Sequence, residues 1–199
     1  MTSRLLRPIC DDEVEAFRND GVVCLRGAFS LGWVERLAAA TEEVLAQPSQ
    51  RHIEAPVTEG RFSVDTYVWM HNGVFRDYAF ESPAAAIAAR LLDARHVSLL
   101  YDQVLVKEPG TDTPTSWHQD GASWPLNGED ALTLWMPHAT GDNCSASVRR
   151  RAHTTRWVSE RCTFREGDFQ LRPVGDHGLK DGDPLHGDHF PRVPVERNW

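Results

Sequence analysis

The spacing of apolar residues changes once along this chain, near residue 96, and that change limits the folds open to it. Ahead of it the spacing is helical. DDEVEAFRNDG (11–21) has Val14 and Phe17 on one face, Asp11 placed to cap and Gly21 placed to stop. VVCLRGAF (22–29) predicts a short strand and turn. Ser30 then caps LGWVERLAAATEEVLAQ, whose Val34, Leu37, Thr41, Val44 and Leu45 keep helical spacing up to Pro48. Residues 49–61 are polar and loop-like. Ser82-Pro83 opens a third helix, AAAIAARLL. Beyond it the period is that of strands. HVSLLYDQVLVKEPG (96–110) ends in a Pro-Gly turn, a second strand fits 114–120, and a third fits DALTLWMP (130–137).

Helices first and strands second is not the alternation of a doubly wound sheet. The expected fold class is mainly β with N-terminal helices, a jelly-roll or cupin-like barrel. A single domain over 1–199 is expected, with a helical layer to residue 95 and barrel strands from 96. From residue 138 the signal decays. An Arg run (149–151) is followed by a tail rich in Gly, Asp and Pro, where only Phe169–Leu171 and Val193–Val195 suggest strands. The barrel is therefore expected to be incomplete at its C-terminal end.

Composition removes several classes of function. The formal charge is −8, whereas a nucleic-acid binder normally shows a basic face. No apolar run approaches the ~18 residues of a membrane span. The start, MTSRLLRPICDDEVEAF, lacks the apolar core of a signal peptide. Cys10, Cys24, Cys144 and Cys162 lack CxxC spacing and read as reduced thiols, which predicts a cytoplasmic protein.

The stretch TSWHQDGASWPLNG (115–128) carries the chemistry. On extended backbone His118 and Asp120, two residues apart, project to the same side. Two imidazoles and one carboxylate on one face of an octahedron are the ligand set of non-haem iron(II) oxygenases. The pattern alone is weak: nine His and many Asp make roughly one chance HxD in such a chain. His186-Gly187-Asp188 is a second instance, and a strand-end His bonded to a nearby Asp is the plain alternative.

The wider context resembles the phytanoyl-CoA dioxygenase family. Gln103 and Lys107 on one strand, the Pro109-Gly110 turn, Trp117-His118-Gln119-Asp120, the Trp124-Pro125 pair and Leu132-Thr133-Leu134-Trp135 occur in that order. The short helix ending in Asp-Gly, the Glu-rich long helix and FESPAAAIAARLL are similar too, so the resemblance covers residues ~10–137. It implies a double-stranded β-helix and an iron(II)- and 2-oxoglutarate-dependent oxygenase acting with O₂ on a small organic molecule. It assigns His118 and Asp120 to the metal. It assigns Lys107 to 2-oxoglutarate, Trp135 to the pocket wall, and Gln103 to its neighbourhood. Taken alone, Lys107 reads as a solvated lysine, Trp135 as core and Gln103 as an ordinary strand residue. A carboxylate at position 120, where halogenating relatives leave the ligand position empty, leans to hydroxylation.

The family also has a distal His and, about eleven residues on, an Arg that grips the far carboxylate. His186 and Arg197 have that offset and are the candidates, with His189 the competitor. Asp188 beside them would repel an anionic co-substrate. The loop with His153 lacks the family's Pro and Gly, and Asp142-Asn143 runs into Cys144, so His153 has no assigned role. Residues 62–78, with Phe62, Tyr67, Trp69 and Phe75, could cover the pocket mouth or be plain core. Two rival functions stay open: an inactive or partial family member that binds rather than reacts, and a cupin-like zinc or manganese enzyme.

Overall fold

The computed structural model describes residues 5–139, 147–169 and 175–195. Helix α1 (Asp11–Asp20) ends at Gly21, whose φ of 73° only a residue without Cβ adopts easily. Its N-cap is Cys10 rather than Asp11; the Glu13 carboxylate turns back to accept the Cys10 N–H at 3.1 Å. The predicted strand over 22–29 does not form. No neighbouring strand lies there to pair with it, and Val22 is exposed. Helix α2 (Leu31–Ala46) follows the Ser30 cap and buries Trp33, Leu37, Ala40, Thr41 and Val44. Helix α4 (Ala84–Leu92) has Pro83 rather than Ser82 as its N-cap, and the Ser82 hydroxyl accepts the Ala84 N–H at 3.1 Å.

Three elements lie in segments that the sequence pattern left as loop or cover. Strand β1 (Ile53–Ala55) pairs with β2 (Phe62–Thr66), and α3 (Gly73–Glu81) is capped by Asn72, which accepts the Val74 N–H at 2.9 Å. The largest departure is β6 (Arg150–Ser159). This ten-residue strand runs through a region without visible alternation. It carries polar residues on both faces, and that conceals its period.

Strand β6 lies at the centre of the fold. It pairs antiparallel with β3 (Val97–Lys107) on one edge and with β5 (Ala131–Ala139) on the other, giving the order β1-β2-β3-β6-β5. Strand β8 (Arg192–Val193) adds to the start of β3. The expected strand over 114–120 is instead an extended, unpaired segment leading into a 3₁₀ turn at Asp120–Ser123. Strands β4 (Leu126–Asn127) and β7 (Thr163–Phe164) form a small second sheet. Phe169 is in no strand, and Gln170 and Leu171 lie outside the described residues, as do Asp142, Asn143 and Cys144. No helix among the described residues is long and apolar enough to cross a membrane.

Helices α1 to α4 bury one face of the sheet. Trp33, Leu37, Phe75, Tyr78, Ile87, Leu99 and Trp157 lie in that core. Tyr67 joins a smaller cluster with Trp124, Phe164, Leu185 and Phe190 under the second sheet. Of the four aromatics offered as a cover, Phe62 alone lines the cavity on the other face; Tyr67, Trp69 and Phe75 are core.

Two charged-type groups are sunk in the helix-side core. His153 Nε2 lies 2.9 Å from Asp102 Oδ2, and neither side chain is exposed. The His153 ring packs on Phe75 and Tyr78, with centroids 4.6 and 5.0 Å away. Asp102 also accepts the Trp69 N–H at 3.1 Å. Asp102→Ala therefore strands two buried donors, and a loss of about 3–5 kcal/mol is expected. A urea midpoint that moves by much less would show that water replaces the carboxylate.

Candidate active site

Residues of alternating parity on each strand face away from the helices and floor a cavity of about 750 Å³. Strand β2 contributes Phe62, Val64 and Thr66; β3 contributes Tyr101, Gln103, Leu105 and Lys107. Strand β5 adds Thr133 and Trp135, and β6 adds Arg150 and Arg156. The segment carrying Thr115, His118, Gln119, Asp120 and Ser123 crosses the opening, with Trp117 fully exposed beside it. Lys107 Nζ holds this segment's root by donating to the Thr113 carbonyl at 2.9 Å.

His118 and Asp120 meet at the cavity wall. His118 Nδ1 lies 2.7 Å from the Ser116 carbonyl, an acceptor, so Nδ1 carries the hydrogen. In the neutral ring Nε2 is then a lone pair, and it faces Asp120 Oδ1 at 3.0 Å. Two acceptors cannot hold that contact without a proton or a cation between them. Two donors about 2.1 Å from an octahedral ion, and cis to one another, would be about 3.0 Å apart. The donor pair therefore fits a divalent metal. The other oxygen of Asp120 accepts from the Thr133 hydroxyl at 3.2 Å and lies 3.6 Å from Arg156 Nη2, which fixes the carboxylate's rotation.

The candidates named for 2-oxoglutarate are divided by the fold. Lys107 is buried at the cavity edge, 4.9 Å from the Phe62 ring centroid. Gln103 Nε2 donates to Thr66 Oγ1 at 3.1 Å, and Trp135 is a half-exposed wall residue. All three line the cavity. Arg197 lies outside the described residues. His186 is exposed and lines no part of the cavity. Its neighbours Leu185 and Phe190 are buried under the small sheet, and that packing turns His186 outward. His189 sits instead beside His177, with ring centroids 6.3 Å apart. Among the described residues no three His, Cys, Asp or Glu side chains converge as a metal site. The structure does not bring His186 to His118 and Asp120.

Two cavity arginines were invisible in the sequence pattern. Arg150 faces Lys107 across the β3–β6 ladder, and its guanidinium carbon lies 5.2 Å from the Trp135 ring centroid. Arg156 pairs with Tyr101 and lies 4.6 Å from its ring centroid. Burial pushes the Tyr101 phenol up, so it stays protonated and accepts from Trp124 Nε1 at 2.9 Å. One signal was available. The offset that selected His186 and Arg197 also separates His138 from Arg149, the residue before Arg150.

A mainly antiparallel sheet, helices on one face, and a His–Asp pair on the other describe the non-haem iron oxygenase class. The chain belongs to the phytanoyl-CoA dioxygenase family: that family's model matches residues 17–143, more than half of its length. Solved structures of similar fold include the 2-oxoglutarate-dependent epimerase SnoN from nogalamycin biosynthesis. It has a TM-score of 0.78 at 19% identity over 92% of this chain and 97% of that one. The carbocyclase SnoK from the same biosynthesis has a TM-score of 0.77 at 22% identity, over 96% and 98%. EctD from S. alaskensis with bound Fe has a TM-score of 0.71 at 15% identity, over 83% and 82%. No curated protein sequence matches. These likenesses give the fold as the jelly roll of 2-oxoglutarate oxygenases, the fold class the sequence predicts.

His138 ends on the helix side of β5, its Nδ1 3.4 Å from Thr41 Oγ1. Burial above all, then the charges of His153 and Arg151, push its pKa down to about 3. An unfolded His titrates near 6.5. Below that pH the unfolded chain takes up a proton that the folded chain refuses, so stability falls as pH drops from about 6.5 towards 3. His138→Asn should flatten that part of the stability–pH curve in chemical denaturation; an unchanged slope would assign it to other groups.

Proposed function

We propose that this protein is an iron(II)- and 2-oxoglutarate-dependent dioxygenase that hydroxylates a small organic molecule with O₂. The reading is carried by His118 Nε2 and Asp120 Oδ1, held 3.0 Å apart on a cavity wall, the spacing of two cis ligands on one ion. When bound, iron(II) and 2-oxoglutarate would let O₂ oxidise a C–H bond, one oxygen atom going to succinate as CO₂ leaves and the other to the substrate. The chain's own residues do the rest. Ser116 fixes the His118 tautomer and Thr133 aims Asp120. Lys107 and Arg150 provide positive charge for the co-substrate's far carboxylate, with Arg150 in the role first given to Arg197. Phe62, Val64 and Leu105 line the same cavity and exclude water. Trp135 and Gln103 shape the same wall.

SnoN is an epimerase and SnoK a carbocyclase, so this fold serves more than one outcome. Hydroxylation rests on the retained Asp120. A second reading, a family member that binds without reacting, is favoured by one observation: the described residues supply two metal ligands rather than three.

Anaerobic addition of Fe(II) and then 2-oxoglutarate tests both. A weak visible charge-transfer band is expected in the parent and lost in His118→Ala and Asp120→Ala. His186→Ala should keep the band, because that side chain is exposed and away from the cavity. Arg150→Gln should keep iron but weaken 2-oxoglutarate at least tenfold. A folded parent without a band would sink the dioxygenase reading in favour of the binding protein. A band lost in His186→Ala would restore that residue as a ligand.

A further inference from the structure

The cavity is cationic in an acidic protein. Among the described residues Arg51, Lys107, Arg150 and Arg156 line it together with Asp120, while the chain carries −8.

Arg156 is the unusual member. It is 6% exposed, and a guanidinium buried that far needs charge or hydrogen bonds around it. Its Nη1 donates to the Thr154 hydroxyl. Its Nη2 stands 3.6 Å from Asp120 Oδ2, too far for a good hydrogen bond. Its Nε is buried and has no partner among the described residues. Its one nearby counter-charge, Asp120, is the group a metal would claim. Arg150 is six residues away along β6, about 20 Å of strand, over a different aromatic ring. The two guanidinia therefore serve different parts of the cavity.

We propose that Arg156 is a specificity-determining residue that grips an oxyanionic head group of the primary substrate, a small organic carboxylate or phosphate, beside the metal ligand Asp120. The proposal rests on the dioxygenase reading above and adds the substrate class to it. The planar fork of Arg156 puts Nε and Nη2 on one edge, a geometry that matches two oxygens at once. The Tyr101 ring beneath holds the fork in place.

The probes are benzoate, phenyl phosphate and neutral benzamide, titrated by calorimetry into protein loaded with Ni(II) and 2-oxoglutarate. At least one anion should bind tenfold or more tighter than benzamide, and which one wins distinguishes carboxylate from phosphate. Arg156→Gln should weaken that anion at least tenfold while 2-oxoglutarate affinity moves less than threefold. Arg156→Lys, which keeps charge and volume, should recover part of the loss. Benzamide binding as well as the anions, or Arg156→Gln leaving them unchanged, would overturn the proposal. So would a variant that loses 2-oxoglutarate instead, which would make Arg156 the co-substrate's clamp. The same titration in metal-free Asp120→Asn protein, with and without Arg156→Gln, tests the anchor without any metal. Anion binding there, lost with Arg156, would stand even if the parent showed no 2-oxoglutarate complex.

Discussion

Hydrogen bonding of β6 on both edges is the constraint from which the rest of this molecule follows. A strand paired on both sides cannot shift register without losing two ladders. Its alternation is therefore fixed, and so is the side to which each residue points. His153 goes to the helix-side core, where Asp102 and two aromatic rings receive it. Arg150 and Arg156 go to the opposite face, each onto an aromatic ring and each opposite a named partner on β3. One ladder thus sets both the buried polar pair and the charge of the cavity.

The metal-type donors are positioned differently. His118 and Asp120 are on a segment outside the main sheet. Lys107 ties its root, Ser116 orients the imidazole, and Thr133 orients the carboxylate. The sheet supplies two of these contacts, so the rigid part of the fold aims groups that it does not itself carry. Binding residues on loops placed by a rigid scaffold are a common arrangement.

Legibility in the sequence tracked how strongly each segment obeys a single period. Helices α2 and α4 and strands β3 and β5 have one apolar face and were visible. His118 and Asp120 stood out as candidates because their two-residue spacing and their flanking tryptophans act locally. Strand β6 was not visible. Its cavity face holds arginine and threonine, its helix face holds a histidine, and a polar pattern on both sides reads as loop. The polar tail misled in the opposite direction. His186 had an attractive offset, but offset says nothing about which way Leu185 and Phe190 turn the chain. Arg150 needed knowledge of the β3–β6 register, and pairing between residues some forty positions apart is not written in either strand alone.

The parity of the strands also divides the labour of sequence change. On β3, Asp102, Val104 and Val106 hold the core, while Gln103, Leu105 and Lys107 face the cavity. A substitution at one set alters how firmly the sheet stands; a substitution at the other alters what the cavity accepts, leaving the core packing largely intact. Specificity and stability can then drift almost independently along the same strand. That separation gives a physical route by which one scaffold could acquire a new ligand by exchanging a few neighbouring side chains, with no redesign of its interior.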